Sequence, residues 1–139
     1  MIILDTNVIS ELMRPAASST VEAWCNSQPE DNLFITTVTQ AEILYGIRIL
    51  SAGSRKKRLQ EMTGILFDQT FGHRILSFDQ ESAEYYAEIT AYRRSQGKPI
   101  SQFDAQIAAI CRAQRAAIAT RNVDDFAGCG LEIINPWEA

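Results

Sequence analysis

Three carboxylates set far apart in the chain, Asp5, Glu42 and Asp104, each stand where an extended apolar segment gives way to a helix-like one. If those segments form a parallel sheet, the junctions share its carboxyl edge, where open α/β sheets bind their ligands. Asp124 and Asp125 follow a further apolar run, Ala117 to Ala119, at the same kind of junction. Carboxylates gathered at one edge repel unless they hold cations, and hard oxygen ligands suit Mg²⁺ or Mn²⁺, bound through few carboxylates and several waters. Such an ion activates water and neutralises charge on phosphoryl oxygens, so the set implies metal-dependent phosphodiester hydrolysis.

Each acid also has a plainer role. Asp5 can cap the helix that starts at Asn7. Glu42 lies at the capping-box spacing from Thr39, and Asp104 falls in the first turn of a helix opened by Ser101. Asp124 and Asp125 read equally well as a solvated turn, and Asn122 as a turn former.

Composition narrows the chemistry. The chain has 139 residues, 46% hydrophobic, enough to bury a core as one domain spanning residues 1–139. His73 is the single histidine. That excludes zinc sites of the HExxH or Cys₂His₂ kind and argues against a Ser/His/Asp or Cys/His nucleophilic centre. Cys25, Cys111 and Cys129 form no CxxC pair, which fits a reducing cytoplasm. A net charge of -4 argues against coating nucleic acid by bulk electrostatics. The start Met1-Ile2-Ile3-Leu4-Asp5 has no basic leader, and no run of apolar residues is long enough to span a membrane.

The elements that must position these residues follow from periodicity. Strands are expected at Ile2 to Leu4, Leu33 to Ile35, Ile75 to Phe78, Ala117 to Ala119 and Leu131 to Ile134. Helices are expected from Asn7 to Met13 and from a capping box at Ser19-x-x-Glu22. An antiparallel helix pair is expected around Ala52-Gly53-Ser54, its apolar residues Ile43, Ile47 and Leu50 facing Leu59, Met62 and Leu66. Asp79 caps a further helix whose Ala83, Tyr86, Ala87 and Thr90 share a face, and Ser101 opens another through Ala113. Gly46, inside a helical pattern, points to close packing or to backbone approach at the site. Arg55 to Arg58, Arg48, Arg93, Arg94 and Arg121 are candidates for phosphate contact, with solvated surface as the plainer role.

Four segments taken together resemble PIN-domain ribonucleases, and within them the FitB-like branch of the VapC-type toxins of bacterial toxin-antitoxin pairs. They are Leu4-Asp5-Thr6-Asn7-Val8-Ile9-Ser10, Thr37-Val38-Thr39-Gln40-Ala41-Glu42-Ile43-Leu44-Tyr45-Gly46, Asp104-Ala105-Gln106-Ile107-Ala108-Ala109 and Ala119-Thr120-Arg121-Asn122-Val123-Asp124-Asp125-Phe126. The resemblance implies a three-layer α/β/α fold on a central, mostly parallel five-stranded sheet. It implies Asp5 and Asp104 as metal ligands, Glu42 as support for the metal or its water, and Thr6 and Asn7 as residues that shape the pocket. It places a fourth acid either at the position of Asn122 or at Asp124 and Asp125, and the pattern Thr-Arg-Asn-x-x-Asp-Phe favours Asp125. It further implies an RNA substrate, a homodimer, and a VapB-like antitoxin through which the complex meets DNA. Two rival readings are a catalytically silent PIN-like binding module and an aspartyl-phosphate phosphatase. The phosphatase reading is weakened by Asn7, which stands where a DxD motif needs a second Asp.

Overall fold

The computed structural model describes residues 1–139, and its frame is a five-stranded sheet in the order β3-β2-β1-β4-β5 with every pairing parallel. The strands are β1 (Ile2–Leu4), β2 (Leu33–Thr36), β3 (Ile75–Leu76), β4 (Ala117–Ala119) and β5 (Ile133–Ile134). Six α-helices surround them: α1 (Thr6–Leu12), α2 (Ser19–Ser27), α3 (Thr37–Arg48), α4 (Ser54–Ile65), α5 (Gln80–Ser95) and α6 (Gln102–Gln114). The sheet is wholly rather than mostly parallel, because each successive strand is reached through a helical crossover. β3 and β5 are shorter than expected and pair along one edge only.

The pleat of the central strands divides the core in two. Ile2, Leu4, Ala117 and Ala119 face a cluster with Val8, Ile9, Val21, Ile43, Ile47, Phe67 and Phe71. Ile3 and Ile118 face the other way, onto Ile89 and the buried run Ile107 to Cys111 of α6. Successive strand residues thus serve opposite layers, as a sheet covered on both faces requires.

Strand order also fixes where a site can form. From β1 the chain moves outward to β2 and β3, then crosses back through α5 and α6 to enter β4 on the other side of β1. The direction of winding reverses between β1 and β4, so a crevice opens beyond their carboxyl ends. The register Leu4↔Ala119 sets the next residues, Asp5 and Thr120, side by side at that point.

Several local expectations are corrected. Helix α2 is capped by Ser18, whose hydroxyl accepts from the Val21 amide at 3.4 Å, so the capping box expected from Ser19 to Glu22 is displaced. Ser18 wins because its own amide donates to the Glu11 carboxylate at 3.1 Å, which pins the turn from α1. Helix α3 starts two residues before Thr39, with Thr36 as cap, which frees Glu42 from any capping role. The face of α5 expected from Ala83, Tyr86, Ala87 and Thr90 is not its buried one; Ser82, Ile89 and Arg93 are buried while Ala83 and Ala87 are exposed. Arg93 can be buried because its guanidinium donates to the carbonyls of Lys98, Asp125 and Ala127. It is therefore not a free phosphate contact. Nor does Gly46 allow close helix packing, since a Cβ there would meet nothing within 4 Å. No helix is long and apolar enough to cross a membrane.

Candidate active site

Asp5 leaves β1 with its amide bonded to the Ala119 carbonyl of β4 at 2.9 Å, and its side chain is 4% exposed. One carboxylate oxygen accepts from the Thr6 amide at 2.8 Å, so the capping role foreseen for Asp5 is real. The other oxygen accepts from the Thr120 hydroxyl at 2.8 Å and the Asn7 amide nitrogen at 3.2 Å. Thr120 Oγ1 itself receives the Asn7 side chain and the Asn122 backbone amide, so its one proton goes to Asp5. Neutral donors from two strand ends hold this carboxylate, and none is a cation.

Glu42 is treated alike from the other side. Its Oε1 accepts from the Thr6 hydroxyl at 2.9 Å, and Thr6 Oγ1 lies 3.0 Å from that of Thr39. Asp104 stands in the first turn of α6, where the Ser101 hydroxyl accepts from its backbone amide at 3.2 Å and also bonds its carboxylate. The three acids line one cavity of about 1180 Å³ together with Thr6, Asn7, Arg121 and Asn122. The lining also carries Gly46, Arg55 and Arg58, and Arg14 paired with Glu11.

Electrostatics match this geometry. Burial pushes the Asp5 carboxyl up from 3.8 to about 6, the charges of Asp104 and Glu42 adding to it against the hydrogen bonds from Thr120 and Thr6. Burial also raises Glu42 and Asp104, and each feels a neighbouring acid: Asp104 acts on Glu42, and Asp125 on Asp104. None of the three is paired in a salt bridge; the acids that are paired are Glu11, Glu30 and Glu88.

Asp124 and Asp125 sit in an exposed 3₁₀ turn, Val123–Phe126, outside the cavity lining. Asn122 is the member of that segment that reaches the cavity, so a neutral amide stands beside the three acids where a fourth carboxylate was sought. Arg121 lines the same cavity, its guanidinium 5.3 Å above the Trp137 ring and its amide bonded to Asn7 Oδ1 at 3.3 Å. Of the nine residues singled out in the sequence, seven share this cavity and Asp124 and Asp125 do not.

Sequence reasoning missed Thr36, Thr39 and Thr120, each with 0% exposure. Two of them, Thr39 and Thr120, lie in segments that carry the resemblance, and a fully buried threonine at a strand end needs a hydrogen-bond partner. Thr120→Val keeps the shape and removes the donor to a buried carboxylate. It should cost about 2 kcal/mol in urea unfolding at neutral pH, and an unchanged unfolding midpoint would show that Asp5 finds another donor.

The donor set suits a hard divalent cation. No three His, Cys, Asp or Glu side chains converge into a complete cage, and Mg²⁺ does not ask for one, since it keeps several waters beside one or two carboxylates. A buried Asp5 and the half-buried Glu42 and Asp104, none in a salt bridge, are what such an ion would satisfy.

The sheet is wholly parallel with three acids over its switch point, and the chain belongs to the PIN-domain family, whose model matches residues 2–128. Within that family its similarity runs to toxin-antitoxin proteins. It is 38% identical over 139 residues to the VapC ribonuclease Y4jK of Sinorhizobium fredii, with 99% of each chain covered. It is 36% identical over 137 residues to toxin FitB of Neisseria gonorrhoeae, again with 99% of each covered. The solved structure of FitAB bound to a DNA fragment matches with a TM-score of 0.92 at 36% identity, over 99% of this chain and 96% of that one.

Proposed function

We propose that the chain is the toxin of a toxin-antitoxin pair and a metal-dependent endoribonuclease. The observation that carries this reading is the cavity itself: Asp5, Glu42 and Asp104 meet in it, raised by burial and unpaired with any cation. Asp5 and Asp104 would hold Mg²⁺ or Mn²⁺ directly, and Glu42 would orient a water on it. A divalent cation bound there lowers the pKa of a coordinated water and offsets charge building on phosphoryl oxygens. Thr120, Asn7 and the Thr6 amide fix the Asp5 carboxylate, so its orientation precedes binding of ion or substrate. Arg121, braced on Trp137, and Arg55 at the far wall are placed to meet phosphates of a bound strand. The fourth acid is assigned to Asp125, which acts on Asp104 through its charge from outside the lining.

The relatives named above support the partners: one is called a ribonuclease, one a toxin, and FitAB is a complex on DNA. A VapB-like antitoxin and DNA contact through it follow for this chain by the same reasoning, while a homodimer and a place in the cytoplasm are carried only by the sequence resemblance. A second reading, a PIN-fold binding module that does not cut, draws on Asn122, which leaves the cavity one carboxylate short. The phosphatase reading loses ground because no lysine lines the cavity and Asn7 is spent on Asp5.

Purified protein incubated with total cellular RNA in Mn²⁺ or in EDTA separates these readings. Discrete new RNA ends in Mn²⁺ that vanish in EDTA are the expected result. Intact RNA in both, from protein that still binds its antitoxin, would establish the silent module.

A further inference from the structure

Glu42 ends a line of hydroxyls that runs back into the core. The Thr39 amide donates to Thr36 Oγ1 at 3.1 Å, which makes Thr36 the cap of α3. Thr36 Oγ1 lies 3.4 Å from Thr39 Oγ1, that atom 3.0 Å from Thr6 Oγ1, and the Thr6 hydroxyl 2.9 Å from Glu42 Oε1. Thr36 and Thr39 are both 0% exposed, so water cannot supply or take a proton along the way.

Counting protons gives the line a direction. A hydroxyl has one proton to donate and two lone pairs to accept with, whereas an ionised carboxylate only accepts. Thr6 therefore gives its proton to Glu42. Between Thr6 and Thr39 the donor must then be Thr39, whose own proton is spent, so Thr39 accepts from Thr36. Each donation polarises the next, and the set has a single self-consistent arrangement.

We infer that Thr39, backed by Thr36, is a positioning residue for Glu42: it commits the Thr6 hydroxyl to the glutamate and so fixes the carboxylate that faces the cavity. Neither threonine touches the cavity, and both act through Thr6. This rests on the reading that Glu42 serves the metal site. The design resembles outer-shell partners in metal sites, which hold a ligand at one orientation and raise affinity without touching the ion.

The test is a double-mutant cycle between Thr39→Val and Glu42→Gln, read as Mn²⁺ affinity from the resonance of free Mn²⁺ in titrations of purified protein. Urea unfolding is run alongside to separate binding from stability. Thr39→Val should weaken Mn²⁺ binding about tenfold, the lower end for outer-shell partners, and Thr39→Ser should restore it. In the Glu42→Gln background Thr39→Val should have no further effect, since the group it acts through has changed. An equal loss in both backgrounds, or a fall in stability at unchanged Mn²⁺ affinity, overturns the inference. If Thr39→Val does not fold, Thr39→Ala against Thr39→Ser makes the same comparison, because the serine keeps the hydroxyl. If Glu42→Gln alone leaves Mn²⁺ affinity intact, the metal role of Glu42 fails and the inference with it. A loss in Glu42→Gln but none in Thr39→Val leaves that role standing and removes only the inference.

Discussion

Asp5→Asn is expected to lower RNA cleavage by about 10³-fold, equivalent to roughly 4 kcal/mol of lost transition-state stabilisation, while the protein stays folded. Folding survives at a cost of about 2 kcal/mol, because the new side chain is isosteric but its one oxygen can accept either from the Thr6 amide or from Thr120 and Asn7, not from both sides. What it loses is the charge that would hold an ion at the meeting point of β1 and β4. Asp104→Asn should do the same from α6, where the Ser101 hydroxyl that caps the helix on the Asp104 amide can also donate to an asparagine oxygen. Single-turnover cleavage of one purified RNA, with circular dichroism to establish folding, measures both. A folded Asp5→Asn protein that cuts at the parent rate would remove the acidic site from the mechanism.

The second large effect is on stability, and its sign follows from burial. In the ion-free protein the folded Asp5 carboxyl titrates at about 6 against an ordinary 3.8. Between those values the folded chain keeps a proton that the unfolded chain has released, so stability falls as pH rises through this window. Two units at 1.36 kcal/mol each make the loss on the order of 3 kcal/mol, complete above the folded value. Glu42 and Asp104, also raised, act in the same direction. Above that window a bound cation replaces the missing proton, and Mn²⁺ at about 100 times its Kd contributes about 2.7 kcal/mol. Melting curves in EDTA should therefore drop from pH 4 to pH 7 and recover on adding Mn²⁺ at pH 7. A melting temperature that is flat with pH and indifferent to Mn²⁺ would mean that Asp5 is neither strained nor a ligand.

How much of this was legible in the chain depends on how local each cause is. The strands read well because Ile2 to Leu4 and Ala117 to Ala119 are short apolar runs bounded by polar turns, and their parallel pairing follows from the helices between them. The meeting of Asp5, Glu42 and Asp104 was legible because Asp5 follows β1, Asp104 stands in the first turn of α6 and Glu42 lies in the helix that follows β2, although one turn further in than its spacing from Thr39 suggested. Hydroxyl partners were not. Thr120 is indistinguishable in the sequence from any turn threonine until the register of β4 on β1 sets it beside Asp5, 115 residues away. Arg93 misled for a related reason: its burial depends on three carbonyls from loops on either side of α6. The fourth acid could not be placed by spacing, since Asn122 lines the cavity while Asp125, three residues on in the same turn, acts on Asp104 from outside the lining.

The pairing of β1 with β4 bears on the order in which the corner around Asp5 can be completed. Asp5 is separated by 115 residues from the hydroxyl that steadies it, and the strand before that hydroxyl is made long after β1. A nascent or truncated chain carries Asp5, Glu42 and even Asp104 without Thr120 to complete the corner. An ion can therefore meet a fixed Asp5 carboxylate only after β4 has paired with β1.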